Sequence, residues 1–463
     1  MTRSHVIADW DPEDTVAWEA GNNKIARRNL FWSTVAEHVG FSIWAIWSVM
    51  VLFMPQEVYG FTSGDKFLLA ATATLAGGCL RIPYSLATAA FGGRNWTIFS
   101  ALVLLIPTVG ITVLLAHPGL PLWPYLVCAA LTGLGGGNFA ASMTNVNAFY
   151  PHRLKGWALA VNAGGGNLGV PLIQLVGLTV LATAGNRQPH WVCAIYLVFL
   201  AVTAIGAALF MDNLAMQKAD LSAMRSIMSE LDTWIIAALY IATFGSFIGF
   251  SFAFGQVLQI SFVGNGQSPA QASLHAAQIA FLGPLLGSIA RIVGGRVADR
   301  IGGGPVTLAA FGGMFAASGL LVGVSTLDGR DGGPSAGATM AGYVIGFVAL
   351  FIVSGIGNGS VYKMIPSVFE ARSHTMGLGE ADRRSWSRSM SGALIGFAGA
   401  IGACGGVGIN LALRQSYLTN GTATAAFWVF LIGYVAAASL TWLRYVRRPL
   451  LIPQPAGLVL ASG

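Results

Sequence analysis

Two arginines lie in the middle of long apolar stretches and share the spacing of their neighbours. Arg81 and Arg291 each follow a glycine by four residues and precede a glycine pair at eleven and twelve residues. The matching glycines are Gly77, Gly92 and Gly93 around the first arginine and Gly287, Gly302 and Gly303 around the second. An arginine at the centre of a bilayer costs at least ~2.5–3.5 kcal/mol on insertion scales, so such a residue usually faces a cavity and serves function. The planar guanidinium group of arginine carries N–H donors that can hold a planar oxyanion by two hydrogen bonds.

The apolar stretches contain few other charges. Lys363 is a third cation, and Glu37, next to His38, is the one acid that lies well inside a stretch. Buried carboxylates could pair with the arginines, but the acids are too few, so the excess of positive charge favours a bound and transported anion. Glu37 has two interpretations that stay open. It is either a buried acid that carries a proton or a structural acid that snorkels or pairs with His38.

The composition restricts the class of protein. Charged residues are 9% of the 463 residues and hydrophobic types 55%, whereas soluble domains have roughly 25% charged residues. These values exclude a disordered chain, a nucleic-acid-binding protein and nearly every soluble enzyme, and they indicate a polytopic membrane protein. The four cysteines lie in apolar runs without CxxC spacing, so they predict neither a disulfide framework nor a metal site. We also expect no cofactor.

Apolar runs of about 20 residues, the length that a spanning helix needs, occur twelve times. They lack the alternation of barrel strands and therefore predict helices. The predicted spans are about 30–55, 67–91, 97–116, 122–148, 157–182, 191–212, 234–262, 275–298, 305–326, 339–364, 389–413 and 424–445.

Lys and Arg are distributed unevenly on the two sides of these spans. With the N-terminus in the cytoplasm, the outer loops contain four of the 25: Lys66, Arg187, Arg330 and Arg414. This bias predicts a multi-pass protein of the cytoplasmic (inner) membrane with both termini in the cytoplasm. The expected parts are an N-terminal half, 1–213, with a cytoplasmic tail, 1–29; a cytoplasmic linker, 214–233; and a C-terminal half, 234–463, with a cytoplasmic tail, 446–463.

The repeated arginine register indicates two six-helix halves related by a pseudo-twofold axis. Parallel repeats with a site at the midplane are the plan of major-facilitator transporters. We therefore predict an all-α membrane protein with twelve transmembrane helices and the major-facilitator fold. The loop after the eighth span resembles a loop motif of that superfamily, and we assign its Asp299 and Arg300 to gating rather than to substrate binding.

Longer motifs resemble one family within that superfamily. The segment from Gly133 to Gly169, with Phe149-Tyr150-Pro151 between two glycine clusters, is similar to the signature of the nitrate/nitrite porter family. Leu80-Arg81-Ile82-Pro83-Tyr84-Ser85 and the residues around Arg291 resemble its two arginine motifs. The glycines that match the two signatures are Gly164, Gly166, Gly169, Gly402, Gly405 and Gly406.

The resemblance implies a function and a set of site residues. It implies that nitrate and nitrite are the substrates, moved by nitrate uptake with nitrite extrusion or by proton-coupled nitrate uptake. Arg81 and Arg291 would bind the anion, and Asn167 and Tyr240 would add hydrogen bonds. Two rings, Phe139 and Tyr362, would sandwich it, with Phe244 as a wall behind the site. Glu37 and His38 are the proton-coupling candidates, because well-known exchangers of the family are apolar there.

Other classes of protein stay as alternatives. A major-facilitator transporter of another small anion, such as phosphate or a carboxylate, is the closest. A membrane enzyme would need a catalytic or cofactor constellation, and only His38 among seven histidines is clearly within a span, so we expect no enzyme. A sensor would need a soluble output domain, and the repeat disfavours a bare channel. We expect a monomer in the lipid bilayer without a nucleic-acid partner.

Overall fold

The computed structural model describes residues 5–215, 221–328, 336–377 and 379–447. In these ranges eleven helices are long and apolar enough to cross a membrane, and a bent pair supplies a twelfth span. The expectation of an all-α membrane protein is confirmed. Outside the described residues lie Arg330, residues 1–4 of the expected N-terminal tail, residues 216–220 of the expected linker and residues 448–463 of the expected C-terminal tail.

The spans follow one another along the chain, and several are interrupted inside. Span 1 comprises Thr15–Ala17, Trp18–Asn22, Asn23–Trp44, Trp47–Met50 and Val51–Phe53; span 2 Ser63–Cys79 and Arg81–Phe91; span 3 Gly93–Val103 and Leu105–Ala116; span 4 Leu122–Thr132 and Leu134–Phe149; span 5 His152–Asn167 and Gly169–Thr183; and span 6 His190–Phe210. Span 7 is Leu231–Gly264; span 8 Pro269–Ala280 and Leu282–Ile301; span 9 Gly303–Leu327; span 10 Ala336–Ser373; span 11 Glu380–Asn420; and span 12 Thr424–Thr441 and Trp442–Val446. Short helices are Gln56–Tyr59 and Leu221–Ile227, and the strands are Val6–Ile7 and Asn213–Leu214.

Hydropathy places the spans but underestimates the length of several of them, most clearly of spans 10 and 11. Span 10 was expected to end at 364 and continues to Ser373, and span 11 was expected to begin at 389 and begins at Glu380. Charged residues end an apolar run, but they form helical backbone hydrogen bonds as well as apolar residues do. The helix therefore continues past the hydropathy boundary.

The segment expected to be an N-terminal tail is folded against the spans from residue 5. Val6–Ile7 pairs in parallel with Asn213–Leu214, and the Asp14 carboxylate caps the helix that begins at Thr15. The rings of Trp10 and Phe149 contact each other edge to face at a centroid distance of 5.1 Å. This segment joins the start of span 1 to the ends of spans 4 and 6.

The backbone repeats where the two arginine-bearing helices end. Gly92 after span 2 has φ 86° and ψ 147°, and Gly302 after span 8 has φ 91° and ψ 149°. Glycine adopts this positive φ without a Cβ clash. The chain therefore turns in the same way after each helix, eleven residues beyond each arginine.

Glycine contacts repeat in the same way. A Cβ on Gly136 of span 4 would lie 2.7 Å from Cα of Gly77 in span 2, and a Cβ on Gly355 of span 10 would collide with the carbonyl of Gly287 in span 8. Small residues allow helices to approach this closely. Each arginine-bearing span is thus packed tightly against a glycine-rich span.

Candidate substrate site

Arg81 lies at a break in span 2. The segments Ser63–Cys79 and Arg81–Phe91 meet at a bend of 40°, which places Arg81 at the first residue of the second segment. Its side chain is 1% exposed. Nε donates to the carbonyl of Gly136 at 3.3 Å, and Nη1 donates to the carbonyl of Gly399 in span 11 at 2.5 Å. Nη2 is buried and has no hydrogen-bond partner among the described residues, so one edge of the guanidinium is free to donate to a ligand.

Aromatic rings surround this guanidinium. The centroids lie 4.7 Å from Cζ for Phe139, 5.0 Å for Phe244, 5.5 Å for Trp44 and 5.7 Å for Phe41. Ring faces attract a cation and displace water around it. Phe244 therefore contacts Arg81 directly instead of standing behind the site, and sequence reasoning missed Trp44 and Phe41.

Arg291 is connected to Arg81 by a series of rings. Its Cζ lies 5.1 Å from the centroid of Tyr362. The centroid of the Tyr362 ring lies 4.7 Å from that of the Tyr240 ring. The Tyr240 ring stacks on Phe244 with a centroid distance of 5.1 Å. Phe244 in turn faces Arg81. The two arginines, from spans 2 and 8, thus lie at opposite ends of one aromatic stack.

Several buried polar atoms of the expected site residues lack hydrogen-bond partners in the described part of the chain. They are Nη2 of Arg81, Nη1 of Arg291, the Tyr240 hydroxyl and Oδ1 of Asn167. Native proteins leave few buried polar groups unpaired, so such a group marks a place for water, an ion or a ligand. Asn167 is 1% exposed and makes no hydrogen bond to either arginine.

Gly399 is a further residue of the site. A Cβ at this position would lie 3.2 Å from the Tyr362 hydroxyl, 3.4 Å from Cε1 of Phe139 and 3.5 Å from Nη1 of Arg81. The two rings expected to sandwich the anion therefore approach the same point of span 11. The sequence signal was the glycine repeat at three-residue intervals in span 11, which does not show which glycine faces the site.

A cavity of about 940 Å³ leads to Arg81 from one end of the bundle. This is the end where spans 1 and 7 begin and spans 6 and 12 end, called the terminal end below. Lys155 of span 5 and Arg388 of span 11 line the cavity there.

The opposite end is closed by contacts between the first six spans and the last six. The Phe67 and Tyr417 rings stack at 5.5 Å, and Gln256 donates to the carbonyl of Ser63 at 2.8 Å. The site is thus reached from the terminal end.

Glu37 is fully buried beside the arginine site. One carboxylate oxygen, Oε2, accepts hydrogen bonds from the Ser142 hydroxyl and, at 2.5 Å, from the Asn162 amide. The other, Oε1, has no partner in the described ranges. His38 instead contacts the carbonyl of Gly165 through Nδ1 at 2.9 Å. The interpretation that pairs Glu37 with His38 is therefore wrong. The partners Ser142 and Asn162 were visible only as polar residues within the glycine-rich stretches.

Most signature glycines are sites of close approach. An added Cβ would collide with the Glu37 carboxylate at Gly166, with the His38 carbonyl at Gly169, and with the Tyr240 ring at Gly402. A Cβ added at Gly405 would collide with the Ile241 carbonyl, and one added at Gly406 would lie 3.2 Å from Cγ2 of Ile248. Gly164 faces open space.

Lys363 does not belong to the buried charges. Its side chain is half-exposed near the terminal end of span 10, and Nζ lies 2.8 Å from Oδ1 of Asp299 in an ion pair. Three cations and one acid were expected inside the membrane, a net charge of +2. Without Lys363 the remaining groups are Arg81, Arg291 and Glu37, and their net charge is +1. Asp299 links the end of span 8 to span 10, and Arg300 is exposed beside it.

Comparisons with known proteins place this geometry in a family. The Major Facilitator Superfamily model matches residues 36–381. The D-xylose-proton symporter structure superposes with a TM-score of 0.64 at 14% identity, covering 90% of this chain and 97% of that one, which shows the fold.

Two curated relatives are much more similar in sequence. The chain is 35% identical to the nitrate/nitrite transporter NarU of Escherichia coli and 31% identical to the probable nitrate/nitrite antiporter NarK2 of Thermus thermophilus. Both alignments cover 96% of this chain and 97% of the relative. The chain therefore belongs to the nitrate/nitrite porter family of the Major Facilitator Superfamily.

Proposed function

We propose that this protein carries nitrate and nitrite across the cytoplasmic membrane by alternating access. The observation that carries the proposal is the pair Arg81 and Arg291. Each has a buried guanidinium nitrogen that no other described residue pairs with, and one aromatic stack joins them. The names of the curated relatives support the same substrates.

The chemistry of the site suits a small planar oxyanion. Guanidinium forks donate in the plane of the anion, and aromatic faces cover the two sides of a flat, weakly hydrated ligand. Phe139 and Tyr362 supply the faces, and Tyr240 and Asn167 add polar atoms at its edge. A bound anion also neutralises the excess buried charge, which the bilayer otherwise penalises.

We propose that residues 1–213 and 234–463 move as two six-helix halves about this site, joined by the linker 214–233. The terminal end faces the cytoplasm, because the Lys and Arg residues are concentrated there. The cavity that opens at that end makes this the inward-facing state. The pair Asp299–Lys363 belongs to the gate, since it links spans 8 and 10 toward the terminal end.

Glu37 supplies a route for proton coupling. With Glu37 ionised, the buried balance is one positive charge, and protonation of Glu37 raises it to two. Anion binding is then favoured by protonation, and by linkage the proton binds more tightly when the anion is present. Proton-coupled nitrate uptake follows from this coupling, and nitrite moving outward through the same site gives exchange.

Counterflow in proteoliposomes tests the substrate. Liposomes loaded with unlabelled nitrate should accumulate labelled nitrate, and external nitrite should compete with it. Phosphate and acetate at the same concentration should not compete. Competition by phosphate or acetate as strong as that by nitrite would identify another small-anion transporter instead.

The Glu37→Gln variant tests the coupling. It keeps the side-chain size and the contacts to Ser142 and Asn162 but cannot exchange a proton. We expect nitrate–nitrite exchange to persist and the stimulation of nitrate uptake by an inward proton gradient to disappear. An unchanged response to the gradient would refute the role of Glu37 and leave the substrate assignment standing.

A further inference from the structure

A second cavity, of about 520 Å³, lies at the terminal end where spans 1 and 5 begin. It shares no lining residue with the cavity that leads to Arg81. Its lining includes Trp18, Asn23, Arg27, Tyr150, Arg153 and Trp157. Glu19 and Leu154 complete the lining.

Two guanidinium groups are available in this cavity. Arg27 is exposed and forms no ion pair with an acid in the described ranges. Arg153 is half-exposed and its Nη2 lies 3.8 Å from Oε1 of Glu19, a carboxylate that is itself largely exposed. An exposed pair at this distance is weak, so both arginines can turn to another anion.

Tyr150 adds a buried hydroxyl to the cavity. The residue is 1% exposed, and its hydroxyl oxygen forms no hydrogen bond within the part of the chain that the structure describes. Burial raises the pKa of Tyr150 to about 12, opposed by the nearby Arg27 guanidinium. The hydroxyl is therefore a proton donor at neutral pH. A buried donor without an acceptor, beside two cations, is suited to an anionic oxygen.

The depth of the cavity relative to the bilayer follows from the spans. Arg27 precedes the exposed Phe31 by four residues on span 1, and Arg153 precedes the exposed Trp157 by four on span 5. Four residues are about 6 Å of helix. Both arginines thus lie one turn outside the lipid-facing surface, at the depth of the headgroups, and exposed tryptophans such as Trp157 are typical of that interface.

We propose that this cavity binds the phosphate of an anionic phospholipid headgroup. Arg27 and Arg153 hold the phosphate oxygens, the Tyr150 hydroxyl donates a third hydrogen bond, and Trp157 packs on the upper acyl chain. Free phosphate has the same oxygen chemistry, but it lacks an apolar part to contact the Trp157 ring. Polybasic sites at the membrane surface attract anionic lipids in this way.

A lipid bound in this cavity would also affect the neighbouring substrate cavity. Tyr150 lies in the connection between spans 4 and 5, and its ring contacts Trp18 at 5.7 Å and Trp157 at 6.3 Å. His152 and Lys155, directly after it, line the mouth of the substrate cavity. A bound headgroup therefore holds the first turn of span 5 in place.

The test uses the full-length protein purified in a neutral detergent. Native mass spectrometry and thermal denaturation are measured with phosphatidylglycerol, with phosphatidylcholine, and with inorganic phosphate alone. The variants are the double substitution Arg27→Gln/Arg153→Gln and the single Tyr150→Phe. Arg384→Gln is the matched control, because Arg384 is exposed at the same end and pairs with Glu380.

We expect phosphatidylglycerol, but not phosphatidylcholine, to remain bound and to raise Tm of the wild-type protein and of the control. The double variant should bind it at least tenfold more weakly, and Tyr150→Phe severalfold more weakly. Equal retention by the double variant and the wild-type protein would overturn the site. If inorganic phosphate alone reproduces the shift and the lipid adds nothing, the source is free phosphate and the lipid assignment is wrong.

Discussion

Asp232 and Arg444 join the first and last of the C-terminal six spans. The Asp232 carboxylate accepts hydrogen bonds from Nε of Arg444 at 3.0 Å and from Nη2 at 2.8 Å. Arg28 and Asp212 form the corresponding ion pair between spans 1 and 6, with the charges exchanged. Each set of six spans is thus closed at the terminal end by the same type of contact.

Replacing Asp232 by Asn should lower the stability of the protein. Breaking a fully buried pair costs about 3–5 kcal/mol, but Arg444 is 39% exposed, so solvent screening reduces the expected loss to about 1–3 kcal/mol. Tm of the purified variant measures it. The exchange Asp232→Arg/Arg444→Asp should recover part of the loss. A wild-type Tm for both Asp232→Asn and Arg444→Gln would show that the pair contributes nothing.

Replacing Arg81 or Arg291 by Lys should reduce nitrate flux about 100-fold or more, which corresponds to about 2.7 kcal/mol. Lysine keeps the charge but loses the planar fork and cannot reach Gly136 and Gly399 together, as Arg81 does. Initial rates in proteoliposomes give the flux, with Arg384→Gln as the control that should retain it. Wild-type flux in Arg291→Lys would remove this arginine from the site.

The two glycines Gly166 and Gly164 should respond differently to alanine. The new Cβ at Gly166 would collide with the Glu37 carboxylate, whereas Gly164 faces open space. We expect Gly166→Ala to lose most nitrate transport or stability, because Glu37 must leave its contacts with Ser142 and Asn162. Gly164→Ala should have near-normal flux and Tm. Equal effects of the two substitutions would contradict the packing of Glu37 against span 5.

Removing the hydroxyl of Tyr362 should change selectivity more than flux. Its ring faces Arg291, and its hydroxyl donates to the carbonyl of Ile395 at 3.3 Å. Because a single hydrogen bond contributes about 0.5–1.5 kcal/mol, Tyr362→Phe should keep nitrate flux within about tenfold while the preference for nitrate over nitrite shifts. Tyr362→Ala, which removes the ring, should lose transport. Competition of nitrite against labelled nitrate measures the preference.

The pair Asp299–Lys363 should affect rate rather than stability. Exposed ion pairs contribute about 0.2–1 kcal/mol, so Asp299→Asn should leave Tm nearly unchanged. If the pair belongs to the gate, the variant should still transport several times more slowly, and Asp299→Lys/Lys363→Asp should recover part of the rate. The exposed pair Glu380–Arg384 at the same end is the control. Normal rates in Asp299→Asn would remove the pair from the gate.

Much of the fold follows from the sequence because its signals are local. A run of about 20 apolar residues predicts a span wherever it occurs, and the register around Arg81 and Arg291 marks the repeat without knowledge of the packing. The helix ends at Ser373 and Glu380 were missed, because hydropathy reports the polarity of side chains and not the continuity of backbone hydrogen bonds.

The sequence by itself determined that this is a membrane transporter with buried arginines at equivalent positions, since buried charge in an apolar run is costly wherever the helix lies. Only the tertiary structure decided the partners of these charges. It pairs Lys363 with Asp299, Glu37 with Ser142 and Asn162, and directs Arg81 to Gly399. Such contacts depend on the rotation and closest approach of helices that are distant in the chain, which side-chain packing sets and no local pattern encodes.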